Sequence, residues 1–379
     1  MRGSVIIDGR LIGYRHGGIA TYSRQLIETL PGLASGLDIR IALTRPVPEL
    51  SDRSIRVITP PHHRFERPAL GFELAARRPD LVHAVDYVQP FVPGAATVAT
   101  VHDVAFLSRP DLVTSDSYRY YRQILETLPR ADAVIVVSEW TRQRLLEFVH
   151  LEEGRVNVIP NGVDHTLFHA EADPLDKSRL SRIHPAFQAL LASGRPIVLS
   201  VGTIEPRKRL DRLVRAFLEH YDRLAPPEMH PPLLVHAGQA GWLSNDTIER
   251  LRVLQRKDRG IWIRDISEVE LASLYRVSSL HVMPSLDEGF GLPVLEAMSS
   301  GLPSLVSNNG ALPELVRDSG FIEESEDPAD WASKIGGIIS EEEMRTRRAR
   351  RGVEFASVFD WTTTARRTLE VYRKVLAER

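Results

Sequence analysis

Two carboxylates, Glu288 and Glu296, bracket a glycine turn in the stretch Met283-Pro284-Ser285-Leu286-Asp287-Glu288-Gly289-Phe290-Gly291-Leu292-Pro293-Val294-Leu295-Glu296-Ala297-Met298-Ser299-Ser300-Gly301. An apolar run ends at Met283, a Gly-Phe-Gly turn follows, and Pro293 and Gly301 suit the start and the end of a helix. A strand that passes through a glycine turn into a helix offers backbone N–H groups and the positive end of the helix dipole to a phosphate. Carboxylates beside a bound diphosphate repel it. Glu288 and Glu296 therefore suit hydroxyl groups on either side of it, such as those of a sugar and a ribose. The plainer alternative is a surface turn and a core helix whose acids complement the dipole.

The segment Val201-Gly202-Thr203-Ile204-Glu205-Pro206-Arg207-Lys208-Arg209 places three adjacent cations after a glycine. Such a cluster can hold a diphosphate and stabilise its charge as it leaves. The alternative is a solvated basic helix start, at the end of the dipole where acids are preferred. Lys208 is the preferred single residue: with a diphosphate role, Lys208→Ala is expected to fold with a near-native melting temperature yet lose turnover. Thr100-Val101-His102-Asp103 sets His102 at a strand end, suited to a proton or hydroxyl contact or to a structural hydrogen bond. The Gly17-Gly18 turn lets a phosphate or sugar approach the backbone closely, or is an ordinary loop. No G-x-G-x-x-G and no P-loop occurs. No Asp-x-Asp pair occurs either, so no metal is expected and the cations and helix terminus take its role.

These residues need rigid strand ends. Short apolar runs predict strands at 4–8, 37–44, 55–59, 81–84, 97–101, 133–137 and 156–159, with a helix from about 21 to 30. After Asn161-Gly162-Val163-Asp164 the pattern breaks, and the alternation restarts with strands at 196–201, 233–237, 261–263, 280–283, 304–307 and 320–322. Strand–helix alternation implies parallel sheets covered on both faces. The expectation is α/β: two doubly wound Rossmann-like domains with an interdomain cleft, ligands lying at the carboxyl ends of the strands. The domains are expected at 1–170 and 196–359, with 171–195 as linker and the helix at about 360–379 packed back on the first domain.

The 379-residue chain has room for two ordinary domains, and 43% hydrophobic with 26% charged residues fits a soluble globular enzyme. A net charge of −2 argues against a nucleic-acid partner, and the absence of cysteine excludes disulfides, cysteine nucleophiles and thiolate metal sites. No run approaches the ~20 apolar residues of a membrane span. A cytoplasmic protein, peripheral at most to the inner face of the membrane, is expected.

Taken together the blocks resemble glycosyltransferase family 4, the retaining nucleotide-sugar transferases with the GT-B fold. The Glu288-x7-Glu296 segment is close to that family's signature. Gly17-Gly18-Ile19, His102-Asp103-Val104-Ala105-Phe106-Leu107, Val137-Ser138-Glu139 with Ile159-Pro160-Asn161-Gly162-Val163-Asp164, and Gly202-Thr203-Ile204-Glu205-Pro206-Arg207-Lys208 match it in order, and the tail from Phe359 to Tyr372 resembles its last helix. The resemblance implies that Glu296 holds the ribose, Glu288 the transferred sugar, and Arg207 and Lys208 the diphosphate. It implies that the turn Gly289-Phe290-Gly291-Leu292 contacts sugar and phosphate through its amides, beside Gly202 and Thr203. Gly17 and Gly18 would close over the diphosphate, His102 would lie near the reacting sugar, and the base would stack near Ile266. Two departures stand out: Arg264 replaces the usual glycine before Ile266, and Arg209 stands where many relatives have Asn.

The implied reaction is transfer with retention, the leaving diphosphate taking the acceptor proton, with no cofactor. His102 through Pro110 is similar to a branch rich in GDP-mannose-dependent mannosyltransferases of surface polysaccharide assembly. GDP-mannose is the first choice of donor, with GDP-fucose and UDP- or dTDP-sugars open, and the acceptor would be a saccharide or lipid-linked saccharide. A nucleotide-sugar epimerase or a silent scaffold of the same fold are the alternatives, the second disfavoured because Glu288, Lys208 and His102 are all present. Tyr118-Arg119-Tyr120-Tyr121-Arg122 could border an acceptor or lipid headgroup. The arginines at 345, 347, 348, 350 and 351 read as a solvated helix face or as a membrane contact.

Overall fold

A computed structural model of the chain describes residues 3–13, 17–63 and 65–379. Tyr14, Arg15 and His16, which precede the Gly17-Gly18 turn, lie outside the described residues. The chain forms two compact units, the first from residues up to Gly162 together with Phe359–Arg379, the second Val163–Val358.

The sheet of the first unit holds β1 (Gly3–Asp8), β2 (Leu37–Leu43), β3 (Ser54–Arg56), β4 (Leu81–Ala84), β5 (Ala96–Val101), β6 (Ala133–Val136) and β7 (Val156–Val158). All pairs are parallel, in the order β3-β2-β1-β4-β5-β6-β7. Runs such as Val5-Ile6-Ile7 and Val134-Ile135-Val136 are buried on both faces, as parallel strands covered by helices must be. The helix Gly18–Leu33 buries Tyr22, Leu26 and Leu30, one row at four-residue spacing. β3 is shorter than its apolar run: the amides of Ile58 and Thr59 donate to the Glu73 carboxylate at 2.7 and 3.0 Å instead of to a strand. The helix Trp361–Ala377 belongs to this unit. His83 Nδ1 and the Tyr372 hydroxyl lie 2.6 Å apart, and Thr364 Oγ1 donates to the Pro160 carbonyl at 2.8 Å.

The second sheet comprises β8 (Ile197–Val201), β9 (Leu233–Ala237), β10 (Gly260–Ile263), β11 (Leu280–Met283), β12 (Ser304–Ser307) and β13 (Phe321–Glu323), again all parallel, in the order β10-β9-β8-β11-β12-β13. Leu213, Phe217, Leu234, Val282, Leu305 and Trp331 fill its core. In both sheets the strand order reverses beside the first strand, between β1 and β4 and between β8 and β11; such reversals leave a crevice at the carboxyl ends.

The stretch 171–195, expected as a linker, folds as two helices, Asp176–Ile183 and Ala186–Ser193, within the second unit. Its scattered charges hid an anchor. Asp176 is buried and takes both prongs of the Arg276 guanidinium at 2.7 and 2.8 Å, while Leu180 and Phe187 are buried. On the helix Glu342–Ala356, Arg345 donates to the carbonyls of Ile338 and Ile339, Arg348 to that of Asp318, and Arg351 pairs with the Asp318 carboxylate at 3.1 Å. These arginines are therefore engaged within the unit. Among the described residues no helix is long and apolar enough to cross a membrane.

Candidate functional site

In the second unit the carboxyl ends of β8 and β11 lie side by side, because the two strands pair directly. β8 runs into Gly202 (φ 138) and then a single 3-10 turn, Pro206–Lys208. Arg209, at φ 50, ends that turn and precedes the helix Leu210–Glu219. β11 runs through residues 284–290 to Gly291, whose φ of 98 reverses the chain into the helix Leu292–Ser299. A side chain at that φ would be strained, so the glycine is required by the turn. The two loops are stitched together: Leu286 N–H donates to the Arg207 carbonyl at 2.8 Å, and Arg207 Nη1 donates to the Asp287 carbonyl at 2.7 Å.

That stitching brings Arg207, Lys208 and Glu288 into contact. Lys208 Nζ donates to Glu288 Oε1, Arg207 Nη1 lies 3.3 Å from Glu288 Oε2, and Ser285 Oγ donates to Oε1 at 3.0 Å. Arg207 Nη2 also pairs with the buried Glu205 at 2.8 Å. Glu288 is only 6% exposed. Burial alone would push its carboxyl up, but the Lys208 and Arg207 cations, with the Lys208 and Ser285 hydrogen bonds, hold it down at about 2. The cations are thus not a solvated helix start. Two anions, Glu205 and Glu288, are already matched to Arg207 and Lys208, while Arg209 turns aside to Asp211 and Glu326.

Glu296 sits on the helix Leu292–Ser299 and is partly buried. Burial pushes its carboxyl up to about 7, against a hydrogen bond from the Tyr275 hydroxyl at 2.9 Å, with Glu268 adding to the rise. Gly289, Phe290 and Leu292 are buried around the turn. Thr203 follows Gly202 beside Gly241: a Cβ added there would come within 2.7 Å of Thr203 Cγ2. Ile266 is half-buried and directly precedes Ser267, whose side chain caps the helix Glu268–Val277 reciprocally with Glu270. Arg264 lies over the Trp262 ring at 4.3 Å, so this departure from the family pattern is held by a cation–π contact.

Several contributors escape sequence reasoning. Gly310, at φ 67, lies against the backbone of Glu288, where a Cβ would come within 2.4 Å of Glu288 N, and Ala311 N–H donates to the Glu288 carbonyl at 2.8 Å. Ser307 Oγ donates to the Ser285 carbonyl at 2.5 Å. Tyr275 reads as a core position on an apolar helix face. Only Ser285 and Glu205 lie within the quoted stretches, and their neighbours draw attention first.

In the first unit, His102 follows β5 and Gly17 caps the helix that begins at Gly18. His102 Nε2 lies 2.8 Å from the Val85 carbonyl, so that nitrogen carries a proton, and the Tyr22 ring packs edge-on at 4.8 Å. Burial lowers the imidazole's proton affinity, against the Val85 hydrogen bond and the charges of Asp86 and Asp103. His102 is therefore held neutral, with Nδ1 as its acceptor nitrogen. A Cβ added to Gly17, at φ 148, would meet nothing within 4 Å among the described residues; there its glycine answers to backbone conformation.

Sequence comparison matches residues 184–355 to the family described as glycosyl transferases group 1 and residues 16–167 to glycosyltransferase family 4. The O-antigen chain mannosyltransferase B of Escherichia coli is 30% identical over 282 residues, 73% of this chain and 70% of that one. The D-inositol 3-phosphate glycosyltransferase of Nocardia farcinica is 30% identical over 289 residues, 74% of this chain but 62% of its own length. The solved structure of sucrose-phosphate synthase from Thermosynechococcus elongatus shares the fold, with a TM-score of 0.77 at 22% identity, covering 100% of both chains. With both units matched and the first of these relatives aligned over most of its length, this chain belongs to glycosyltransferase family 4 and has the GT-B fold.

Proposed function

We propose that the protein transfers a hexose, mannose from GDP-mannose in the first instance, to a saccharide or lipid-linked saccharide, with retention at the anomeric carbon and without a metal. The observation that carries this reading is the convergence of Arg207, Lys208 and Glu288 at the adjoining ends of β8 and β11. Cations fixed beside a helix start can receive a diphosphate, and a carboxylate locked among them can orient a sugar hydroxyl. Glu296 takes the ribose, Ile266 lies by the base, Gly202, Thr203 and the turn from Gly289 to Leu292 line the donor, and Gly17, Gly18 and His102 keep the roles the family implies. Positioning and charge stabilisation then supply the rate, the departing diphosphate accepting the proton. Mannose is favoured by the mannosyltransferase named among the relatives.

Thermal-shift titration with GDP, UDP and dTDP and with their sugars tests the donor, since a ligand that binds only the folded state raises the melting temperature. GDP-mannose should give the largest rise. A rise with UDP- or dTDP-sugars and none with GDP would replace the donor while leaving the transferase intact. Release of an epimerised sugar without any acceptor would replace the reaction.

A further inference from the structure

Four buried side chains form one chain of hydrogen bonds across the first unit. The Tyr372 hydroxyl lies 2.6 Å from His83 Nδ1, His83 Nε2 lies 2.8 Å from Thr100 Oγ1, and Thr100 Oγ1 lies 3.1 Å from the Tyr22 hydroxyl. All four residues are 0% exposed. They stand on four elements: Tyr372 on the helix Trp361–Ala377, His83 on β4, Thr100 on β5 and Tyr22 on the helix Gly18–Leu33. The chain of bonds therefore joins the helix Trp361–Ala377 to the helix that Gly17 caps.

Its near end meets His102. Thr100 and His102 are two residues apart, the spacing that returns to one face of a strand. The Tyr22 ring stands edge-on to the His102 imidazole, with centroids 4.8 Å apart and an angle of 77° between the planes. Tyr87 meets the same imidazole edge-on at 6.2 Å. The bond from His102 Nε2 to the Val85 carbonyl fixes one atom of the ring, and the Tyr22 ring limits the rotation that remains. Tyr22 is itself held by its hydroxyl and by Trp361, edge-on at 6.1 Å, and Trp361 begins the helix that carries Tyr372. The hydrogen bonds are coupled through His83. Burial lowers the proton affinity of its imidazole, with His102 adding to the fall and Asp8 opposing it, so the ring is neutral. A neutral imidazole donates at one nitrogen and accepts at the other. A change of role at Nδ1, beside Tyr372, thus reverses the role of Nε2, beside Thr100.

We propose that Tyr22 is a positioning residue for His102, and that Tyr372 acts on it through His83 and Thr100. The seat of the helix Trp361–Ala377 is then felt at the imidazole. The proposal rests on the reading in which His102 lies near the reacting sugar, and it needs no particular donor or acceptor. A chain of bonds that served only the fold would, when cut, lower the melting temperature and leave the turnover of the folded protein unchanged.

The test is a double-mutant cycle in turnover, with ring-nitrogen NMR beside it. Tyr372→Phe and Tyr22→Phe each remove a single oxygen and keep the ring, and both are assayed below their melting temperatures. The kcat of each should fall at least about fivefold, since a small misplacement at a reacting centre is costly in rate. KM for the nucleotide sugar should change less than about twofold. In a His102→Asn background, Tyr372→Phe should lower kcat no further, because the two substitutions act through one ring. The His102 ring-nitrogen signals, identified by their loss in His102→Asn, should move in Tyr372→Phe. Normal kcat in the folded Tyr372→Phe and Tyr22→Phe proteins overturns the proposal. So does an equal fall with and without His102, and so do His102 signals that stay in place. Normal turnover of His102→Asn overturns it together with the role of His102 on which it rests, whereas the other outcomes leave that role standing. A wild type that transfers no sugar from any nucleotide sugar removes the transfer reading. Movement of the His102 signals would then still support the link from Tyr372, and their constancy would still overturn it.

Discussion

Lys208 and Glu288, 80 residues apart in the chain, form a partly buried ion pair inside the second unit. The pair changes what a substitution at Lys208 should do. A solvated lysine could be removed without loss of stability, but here its loss leaves the Glu288 carboxylate with Arg207 as its remaining cation. Lys208→Met is expected to destabilise the fold by about 1.5–3 kcal/mol, and adding Glu288→Gln should recover part of that, since the buried charge goes with it. A double-mutant cycle by thermal melting measures the coupling; additive effects would mean that the pair contributes nothing. Turnover of Lys208→Met should still fall at least about tenfold, if the lysine meets charge that grows on the leaving phosphate.

The same pair has a pH signature. The Glu288 carboxyl is held at about 2 in the folded chain, below its ordinary range. A depressed carboxyl stabilises the fold above its unfolded value of about 4.3, and that stability is lost as pH falls toward about 2. Melting temperatures of Glu288→Gln should therefore change less with pH over this interval than those of the wild type. Parallel profiles would show that the carboxylate is not held by its cations.

Glu296 carries the opposite sign. Its carboxyl is raised to about 7, so the folded chain keeps a proton that the unfolded chain releases above about 4.3. Stability from this group falls as pH rises through that interval. Glu296→Gln should melt higher than the wild type at pH 8, a working pH above the raised value of about 7, and close to it in mild acid. A ribose role adds an independent readout: Glu296→Ala should weaken nucleoside diphosphate binding by roughly 1.5–3 kcal/mol, whereas Glu288→Ala should spare it. Calorimetry separates the two, and an affinity that Glu296→Ala leaves unchanged, equal to that of Glu288→Ala, would remove the ribose assignment of Glu296.

Much of this was legible in the sequence because strand ends and glycine turns are local signals. β4, β9, β11 and β12 lie where their apolar runs predict, and the turn at Gly291 follows from Gly-Phe-Gly before Pro293. Partnership is not local. Nothing in the order of residues tells that Lys208 points at Glu288, because the pairing of β8 with β11 decides it, or that Arg209 turns to Glu326, which follows β13. The same holds for Asp176, which looks like a linker charge until Arg276 closes on it, 100 residues away. Gly310 is invisible for the same reason: its requirement is set by a backbone that passes against it from Glu288.

In the proposed reading, with no Asp-x-Asp pair in the sequence, Arg207, Lys208 and the helix start meet the diphosphate charge without a metal. Activity is expected to survive excess EDTA. Loss on chelation, restored by Mn²⁺ or Mg²⁺, would mean that a metal carries part of that load and that the cations have been given too large a role.

Gly310→Ala tests whether the placement of Glu288 matters beyond its charge. At φ 67 a side chain is strained, and the added Cβ would lie 2.4 Å from Glu288 N and 2.5 Å from Glu288 O. Backbone does not yield as the end of a flexible side chain does, so Glu288 must shift, and with it the carboxylate that Lys208, Arg207 and Ser285 hold. The left-handed strain should lower stability by about 1–2 kcal/mol. A displacement near 1 Å in a positioned group can lower the rate by ~10²-fold, far more than that stability loss predicts for a protein that remains folded at assay temperature. Gly337→Ala is the control: it lies in the helix Pro328–Ser340, and a Cβ there meets nothing within 4 Å among the described residues. It should keep full turnover and gain about 0.5–1 kcal/mol. Melting curves and turnover at saturating donor, measured for both variants, decide the matter: a folded Gly310→Ala protein with normal turnover would show that the exact seat of Glu288 is not what the reaction depends on.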